Sequence, residues 1–329
     1  MTRYSFVVPL YNEEETLPEL ARRLEGVLER LDGEAEVILV DDGSVDGTPR
    51  VLDELHSRDP RFKVVTFTRN FGHQVAVTAG LDRATGDATI VLDGDLQDPP
   101  EVALDLIARW REGYEIVYAV RSDRRREPFL RRTVIRLFYR VLHRLANVEI
   151  PPDAGDFRLV DRKALEQFRQ LRESNRYVRG LFAWTGFRQT GVPYTREARL
   201  AGQTKYPVRK LVTLGVDGLI GFSRVPLQIA VVLGFVVSIG AFIFGLVEIG
   251  LRLAHVGVVP GWASVIVVMS FLGGVQLILT GMMGTYVGRI YEEVKGRPLY
   301  IVREAKGFEG ELLSIPAAAR ISEPPTVPR

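Results

Sequence analysis

Glu36-Val37-Ile38-Leu39-Val40-Asp41-Asp42-Gly43-Ser44-Val45-Asp46-Gly47-Thr48 runs from a β-branched segment, through a turn of Asp, Gly and Ser, into a helical stretch. The same grammar recurs on either side. Residues 4–10, 63–68, 88–92 and 116–120 join 36–41 as predicted strands, and 14–31, 48–57, 74–84 and 101–112 alternate with them as predicted helices. Pro99-Pro100 introduces the last helix, where a missing N–H is harmless. This alternation predicts an α/β fold, a mainly parallel sheet covered by helices on both faces. Ligands of such sheets bind beyond the carboxyl ends of the strands, so the loops that follow strands are the ones to read.

Three of those loops concentrate functional groups. They are Pro9-Leu10-Tyr11-Asn12-Glu13-Glu14, Asp41 through Gly47, and Asp93-Gly94-Asp95-Leu96-Gln97-Asp98. One Asp-rich turn is ordinary turn and capping chemistry; three at one sheet edge point to a site. Asp93 and Asp95 stand two apart across a glycine, so both carboxylates can reach one hard cation. Mg²⁺ or Mn²⁺ suits oxygen ligands of this kind, completed by substrate phosphates. A diphosphate leaving group is the chemistry that most needs such a cation. No strand is followed by G-x-G-x-x-G and no G-x-x-x-x-G-K-[ST] occurs, so a dinucleotide fingerprint and a P-loop have no support.

The 329 residues allow about two domains. Lys plus Arg (43) nearly balances Asp plus Glu (41), which excludes the strong basic field of a nucleic-acid binder. With no cysteine, disulfides, thiol catalysis and Cys-ligated metal sites are excluded, and four histidines argue against a His-rich metal site. The apolar residues collect late in the chain: 227–247 and 263–288 contain no charge. Each is long enough to span a bilayer, and the short link with Pro260-Gly261 makes them a hairpin. Arg199, Lys205, Arg209, Lys210 and Arg224 precede it, and Arg289, Lys295, Arg297, Arg303 and Lys306 follow it. The positive-inside rule therefore puts the N-terminal two-thirds, the C-terminal tail and both termini on the cytoplasmic side of the cell (inner) membrane. Met1-Thr2-Arg3-Tyr4 has no apolar signal-peptide core. The expected division is a domain at 1–224, the hairpin at 225–289 and a cytoplasmic tail at 290–329. Within the tail, 295–302 is expected to return as a strand and the stretch after Gly307 to be mobile. Small-xxx-small spacings such as Ser270/Gly274 and Gly281/Thr285 would let the hairpin self-associate as a homo-oligomer.

Val8-Pro9-Leu10-Tyr11-Asn12-Glu13, Val40-Asp41-Asp42-Gly43-Ser44 and Asp93-Gly94-Asp95-Leu96-Gln97-Asp98-Pro99-Pro100 resemble the signature of glycosyltransferase family 2. More narrowly, the chain resembles the polyprenyl- (dolichyl-) phosphate sugar synthases. The likeness continues through Asp153-Ala154-Gly155-Asp156-Phe157-Arg158-Leu159, Arg199-xx-Gly202-Gln203-Thr204-Lys205-Tyr206 and the hairpin. The Asp-Gly-Asp-Phe-Arg form is similar to the bacterial undecaprenyl-phosphate glucosyltransferases. The resemblance implies a GT-A fold and inverting transfer of a sugar, glucose from UDP-glucose in the best match, to polyprenyl phosphate. GDP-mannose is the alternative donor.

Carried over residue by residue, Pro9, Tyr11, Asn12, Glu13 and Asp42 would line the nucleoside pocket, with Asp42 reading the base. Asp93, Asp95 and Gln97 would hold the metal and diphosphate. Arg121, Arg132 and Arg136 match positions that approach the acceptor phosphate, although some members carry a smaller residue at the place of Arg136. Arg132, Arg136, Arg140 and Arg144 also form one basic face of a predicted helix at 129–145, with Val134, Leu137, Phe138, Val141 and Leu145 opposite, as an interfacial helix would have. A second interfacial helix is expected at 205–224. Arg199 and Lys205 fit either a loop closing on the diphosphate or basic anchoring at the membrane surface. Asp156 and Arg158 are the catalytic candidates. A phosphate acceptor has a second pKa near 6 and is mostly dianionic at neutral pH. Asp156 is therefore either a base or a group that orients Arg158 or the acceptor. A processive polysaccharide synthase would carry Q-x-x-R-W, but Leu106 stands where that Gln would precede Arg109-Trp110. A scaffold without activity would have lost Asp93, Asp95 or Asp156, and all three are present.

Overall fold

The computed structural model describes residues 1–122, 154–197, 225–254 and 261–308. The predicted alternation appears as β1 (Arg3–Leu10), α1 (Leu17–Leu28), β2 (Glu34–Asp41), α2 (Thr48–Arg58), β3 (Phe62–Phe67), α3 (His73–Arg83), β4 (Ala88–Val91), α4 (Val102–Arg111) and β5 (Ile116–Arg121). Then come β6 (Ala154–Asp161), α5 (Arg162–Gln170), α6 (Val178–Trp184), β7 (Gln189–Tyr194), α7 (Val225–Leu253), α8 (Trp262–Val294) and β8 (Val302–Lys306). The central strands read as nearly unbroken apolar runs because both their faces are covered.

The eight strands lie in the order β7-β5-β6-β4-β1-β2-β3-β8. β1 is parallel to β2 and β4, β2 to β3, and β5 to β7. β6 enters antiparallel between β4 and β5, and β8 lies antiparallel on β3. One core packs α1, α2 and α4 on one face, around Phe6, Val8, Leu39 and Phe157. The other packs α3, α5 and α6 around Val7, Ile38, Val40 and Phe168. α1 shows why: Leu17, Leu20, Ala21, Leu24, Val27 and Leu28 form one buried stripe at helical spacing.

The returning strand is realised at Val302–Lys306, later than the expected 295–302. Gly296 takes a left-handed φ of 55° and Pro298 has no N–H to give a ladder, so pairing starts beyond them. The predicted helices at 129–145 and 205–224, and the tail beyond 308, lie outside the described residues.

α7 and α8 contain candidate membrane spans at Ala230–Val247 (mean hydropathy 2.6) and Val267–Val294 (1.7). Their large side chains, Phe235, Phe242, Met269 and Leu277 among them, point outward. A helix of a soluble core would bury such groups. Gly234 of α7 faces Leu279 of α8, where an added Cβ would sit 3.8 Å from Cδ1, so this glycine lies on the face where the helices meet. At the base of the hairpin, Glu293 accepts a hydrogen bond from the Ser174 N–H (3.0 Å), which ties α8 to the sheet domain.

Candidate active site

The carboxyl ends of β1, β2 and β4 bring the three polar loops together, and the first two are knitted by hydrogen bonds. Asn12, in the left-handed region at φ 55°, donates its N–H to Ser44 Oγ and accepts from the Val45 N–H, both at 2.9 Å. The Glu13 N–H donates to Thr48 Oγ1 (2.9 Å), and Glu14 accepts from the Gly47 N–H (2.9 Å). Asn12 and Glu13 thus hold the loop pair in shape, while Tyr11 projects outward, 45% exposed. Pro9 is buried near the end of β1, opposite Val40. The third loop packs against the first so closely that a Cβ on Gly94 would lie 2.4 Å from the Leu10 side chain.

Asp42 is buried, and both its carboxylate oxygens are engaged. Oδ1 accepts from the Phe71 N–H (2.6 Å) and Oδ2 from the Gly72 N–H (2.9 Å). Burial pushes its carboxyl up, against the pull of the two amides. The β3–α3 loop, which carries none of the residues predicted for the site, is therefore part of it.

Asp93 and Asp156 face one another because of strand register. β6 pairs Val91 with Arg158, and the same antiparallel register carried two residues further sets Asp93 opposite Asp156. His73, the first residue of α3, lies between them, Nε2 3.5 Å from Asp93 Oδ1 and 3.4 Å from Asp156 Oδ2. Burial disfavours its charged form, yet the Asp156 hydrogen bond and the Asp93 charge win and raise its pKa to about 9. Gln74 joins the group, donating to Asp156 (3.4 Å) and accepting from the Val178 N–H (3.0 Å).

Asp156 takes its main partner from α6. Arg179 donates to it through Nε (2.7 Å) and Nη2 (2.9 Å), a bidentate pair. Burial opposes the charge, but Arg179 and then His73 hold this carboxyl well below the usual range. Asp156 also attracts the Arg158 guanidinium through its charge. Arg158 is buried, donates to the Gly155 carbonyl (2.8 Å) and lies over the Phe182 ring (5.3 Å), with burial drawing its pKa down to about 10.

The acidic loop has the character of a cation site. Asp93 Oδ1 is buried without a hydrogen-bond donor. Burial, with the charges of Asp156, Asp98 and Asp95 added, raises the Asp93 pKa to about 6 although His73 opposes it. Leu96 is held at φ 56°, a strained conformation for a branched side chain, as Asp95 accepts from the Gln97 N–H (3.1 Å). Among the described residues no three His, Asp or Glu side chains are arranged to hold a metal ion by themselves. These residues fit a cation that draws its remaining oxygens from a substrate.

Asp98, fully buried, organises the neighbouring edge. It accepts from the Tyr194 hydroxyl (2.5 Å) and from Arg196 Nε (3.2 Å), and its other oxygen lies 4.0 Å from Arg121. Arg121, at the end of β5, also reaches the Tyr194 hydroxyl (3.4 Å). Arg132, Arg136, Arg199 and Lys205 lie outside the described residues. His73, Gln74 and Arg179 were missed from sequence. The sheet-edge rule pointed to α3, which starts at the same carboxyl edge, but a single His and a distant Arg carry no spacing signal.

A mainly parallel sheet with polar loops at its carboxyl edge and an Asp-x-Asp turn is the architecture of a GT-A-type glycosyltransferase domain. Residues 5–169 match glycosyl transferase family 2, and the chain belongs to that family. Its relatives extend over nearly the whole length. The Bacillus subtilis glycosyltransferase YkcC is 45% identical, over 94% of this chain and 96% of its own. A prophage bactoprenol glucosyl transferase homolog of Escherichia coli is 40% identical (92% and 99%). The bactoprenol glucosyl transferase of Shigella phage SfII is 39% identical (92% and 98%). The resemblance to undecaprenyl-phosphate glucosyltransferases therefore holds through the hairpin. In the Arg109-Trp110 pair, Trp110 donates to Asp161 (2.8 Å) and Arg109 pairs with Glu112 at the surface of α4 (2.9 Å).

Proposed function

We propose that the protein transfers glucose from UDP-glucose to undecaprenyl phosphate at the cytoplasmic face of the cell membrane, with inversion at the anomeric carbon. The observation that carries this reading is the facing pair Asp93 and Asp156, one on the acidic donor loop and one on β6, joined by His73. It supports a donor diphosphate on one side and an acceptor phosphate on the other. The bactoprenol-directed relatives support the same acceptor, bactoprenol being undecaprenol.

In this reading Pro9, Tyr11 and Asp42 line the nucleoside pocket, with Asn12 and Glu13 fixing its loops. Asp93, Asp95 and Gln97 hold Mg²⁺ or Mn²⁺ with the diphosphate, and the cation supplies charge neutralisation to the leaving group. Arg121, with Arg132 and Arg136, receives the acceptor phosphate, and Arg199 and Lys205 close on the diphosphate. An acceptor phosphate oxygen attacks the anomeric carbon, its bond to the sugar forms as the sugar–diphosphate bond breaks, and UDP leaves. The acceptor arrives largely as a dianion, and an Asp156 held ionised by Arg179 is a poor base. Asp156 therefore serves by orienting groups, Arg179 foremost, around the acceptor, with Arg158 bracing the strand behind it.

The test is direct. Purified protein in detergent, with Mg²⁺ and undecaprenyl phosphate, is given radiolabelled UDP-glucose or, separately, GDP-mannose, and label in the organic phase is counted. Lipid-linked label from UDP-glucose, lost in Asp95→Ala, is expected. Label from GDP-mannose alone would move the protein to the mannosyl branch, and none from either would sink the proposed donors.

A further inference from the structure

The segment that leaves the hairpin goes to the edge of the catalytic sheet, and its contacts there lead back to the candidate nucleotide pocket. Tyr300 is 4% exposed. Its ring stacks on Phe67, the last residue of β3 (5.1 Å between centroids, 17° between planes), and Phe67 meets Phe71 edge-on (5.6 Å, 88°). The Tyr300 hydroxyl donates to Asp82 (2.8 Å) and accepts from Arg83 (3.1 Å), both on α3. One residue later the Ile301 carbonyl accepts from the Thr68 N–H (3.1 Å), and Arg303 donates to the Thr68 carbonyl (3.0 Å).

The loop is thus held at its start: 300–303 bind Thr68 directly and reach Phe71 through Phe67. From the other side the same loop sends its Phe71 and Gly72 amides to Asp42 and delivers His73 to Asp93 and Asp156. A loop containing Gly72 at φ 103° has many conformations available. Presenting two adjacent N–H groups to one carboxylate selects a single one, and the entropy of that selection must be met by contacts. Edge protection alone is supplied by the β3–β8 ladder, which reaches Phe67. The contacts to Thr68 address the loop itself, and the aromatic stack reaches it through Phe67 and Phe71.

We propose that Tyr300 and Arg303 are positioning residues for Asp42 and His73, so that the segment leaving the membrane hairpin holds the nucleotide end of the site in its working shape. The nucleotide assignment rests on the proposed function; the hold on the loop does not. Arg303 is exposed, so Arg303→Gln removes one grip without touching the core. Tyr300→Phe keeps the stack and drops the hydroxyl, and Tyr300→Leu removes both.

The experiment uses the full chain in detergent, with amide hydrogen exchange read over 68–73 without ligand and UDP and GDP affinity read by calorimetry. Tyr300→Leu should speed exchange in 68–73 by about tenfold, with Arg303→Gln and Tyr300→Phe less, while β1 and β2 keep their rates. UDP Kd should rise by a similar factor, about tenfold. Unchanged exchange over 68–73 in all three variants overturns the proposal, as does acceleration spread evenly over the sheet. Local acceleration in a protein that binds neither UDP nor GDP would uphold the hold on the loop and remove the nucleotide reading instead.

Discussion

Arg179 and Asp156 meet edge to edge, Nε and Nη2 each on one carboxylate oxygen at 2.7 and 2.9 Å. The residues come from α6 and β6 and close a link that runs through Gln74 to the start of α3. A carboxylate fixed this way is a strong electrostatic anchor and a weak proton acceptor. On the proposed function, the pair supports the orienting role of Asp156 over the base role.

Releasing Asp156 should be visible in pH. Arg179 holds the carboxyl down, so in Arg179→Gln its pKa climbs toward and past the ordinary range. The acid limb of the pH–rate profile should shift upward by about one unit or more, with turnover at pH 7.5 down about tenfold or more. Asp156→Asn should lower turnover strongly and leave the profile's shape unchanged. An acid limb that vanishes in Asp156→Asn would instead mark this residue as the general base.

Asp93 presents the opposite sign. Its pKa is raised, so the folded state binds that proton more tightly than the unfolded chain does. It therefore costs stability as pH rises from about 4 to about 6, and the full cost remains above that. Asp93→Asn should lose transfer almost completely while melting at an equal or higher temperature at pH 8, with little gain at pH 4. EDTA should abolish wild-type transfer, and Mg²⁺ or Mn²⁺ should restore it. A variant that melts lower at both pH values would show that Asp93 is structural.

Gly43 packs against the backbone of the β3–α3 loop. It sits at φ 68°, and an added Cβ would meet the Arg69 carbonyl carbon at 2.5 Å and the Asn70 nitrogen at 2.8 Å. Gly43→Ala should push residues 69–72 away from Asp42, weakening UDP binding by at least about tenfold at a stability cost of about 1–3 kcal/mol. Calorimetric titration and a thermal melt on the same preparation check both.

Far from the site, Glu36 offers a control. Its buried carboxylate accepts from Ser5 (2.6 Å), Lys63 (2.7 Å) and the Thr85 N–H (2.8 Å). Burial favours the neutral form, but these partners win and lower the pKa. That stability is present above the unfolded carboxyl's pKa and is lost as pH falls through the folded value. Lys63→Met should cost about 2–3 kcal/mol at pH 7, with the gap to wild type closing in acid and no change in KM. A constant gap down to pH 3 would contradict the assignment.

What the sequence disclosed follows from which interactions are local. The five early strands and their helices announce themselves by apolar runs, turn residues and the Pro-Pro helix start, all of which act within a few residues. β7 does not, since Gly191 and Pro193 break its pattern and its strand character comes from pairing with β5. β6 was legible only as a motif. Its antiparallel insertion, which sets Asp156 against Asp93, is a property of the sheet and not of the segment. His73 and Arg179 become site residues through that same long-range register. The loop carboxylates were found because several of them crowd into each turn; their partners come singly.

At 33 residues, α8 is about 50 Å long, against a hydrocarbon core of about 30 Å. Its last six residues, from Arg289 on, carry the helix about 9 Å beyond the uncharged stretch before Glu293 touches Ser174. On the proposed membrane reading, that overhang is a rigid stalk holding the catalytic edge at headgroup height. A lipid acceptor would then be met where its phosphate already lies, with its chain never leaving the bilayer. Catalysis becomes a meeting between a donor diffusing in three dimensions and an acceptor diffusing in two. The quantity the enzyme senses is acceptor per unit of membrane area, so diluting the acceptor with inert lipid would slow it even when the total amount in the tube is unchanged.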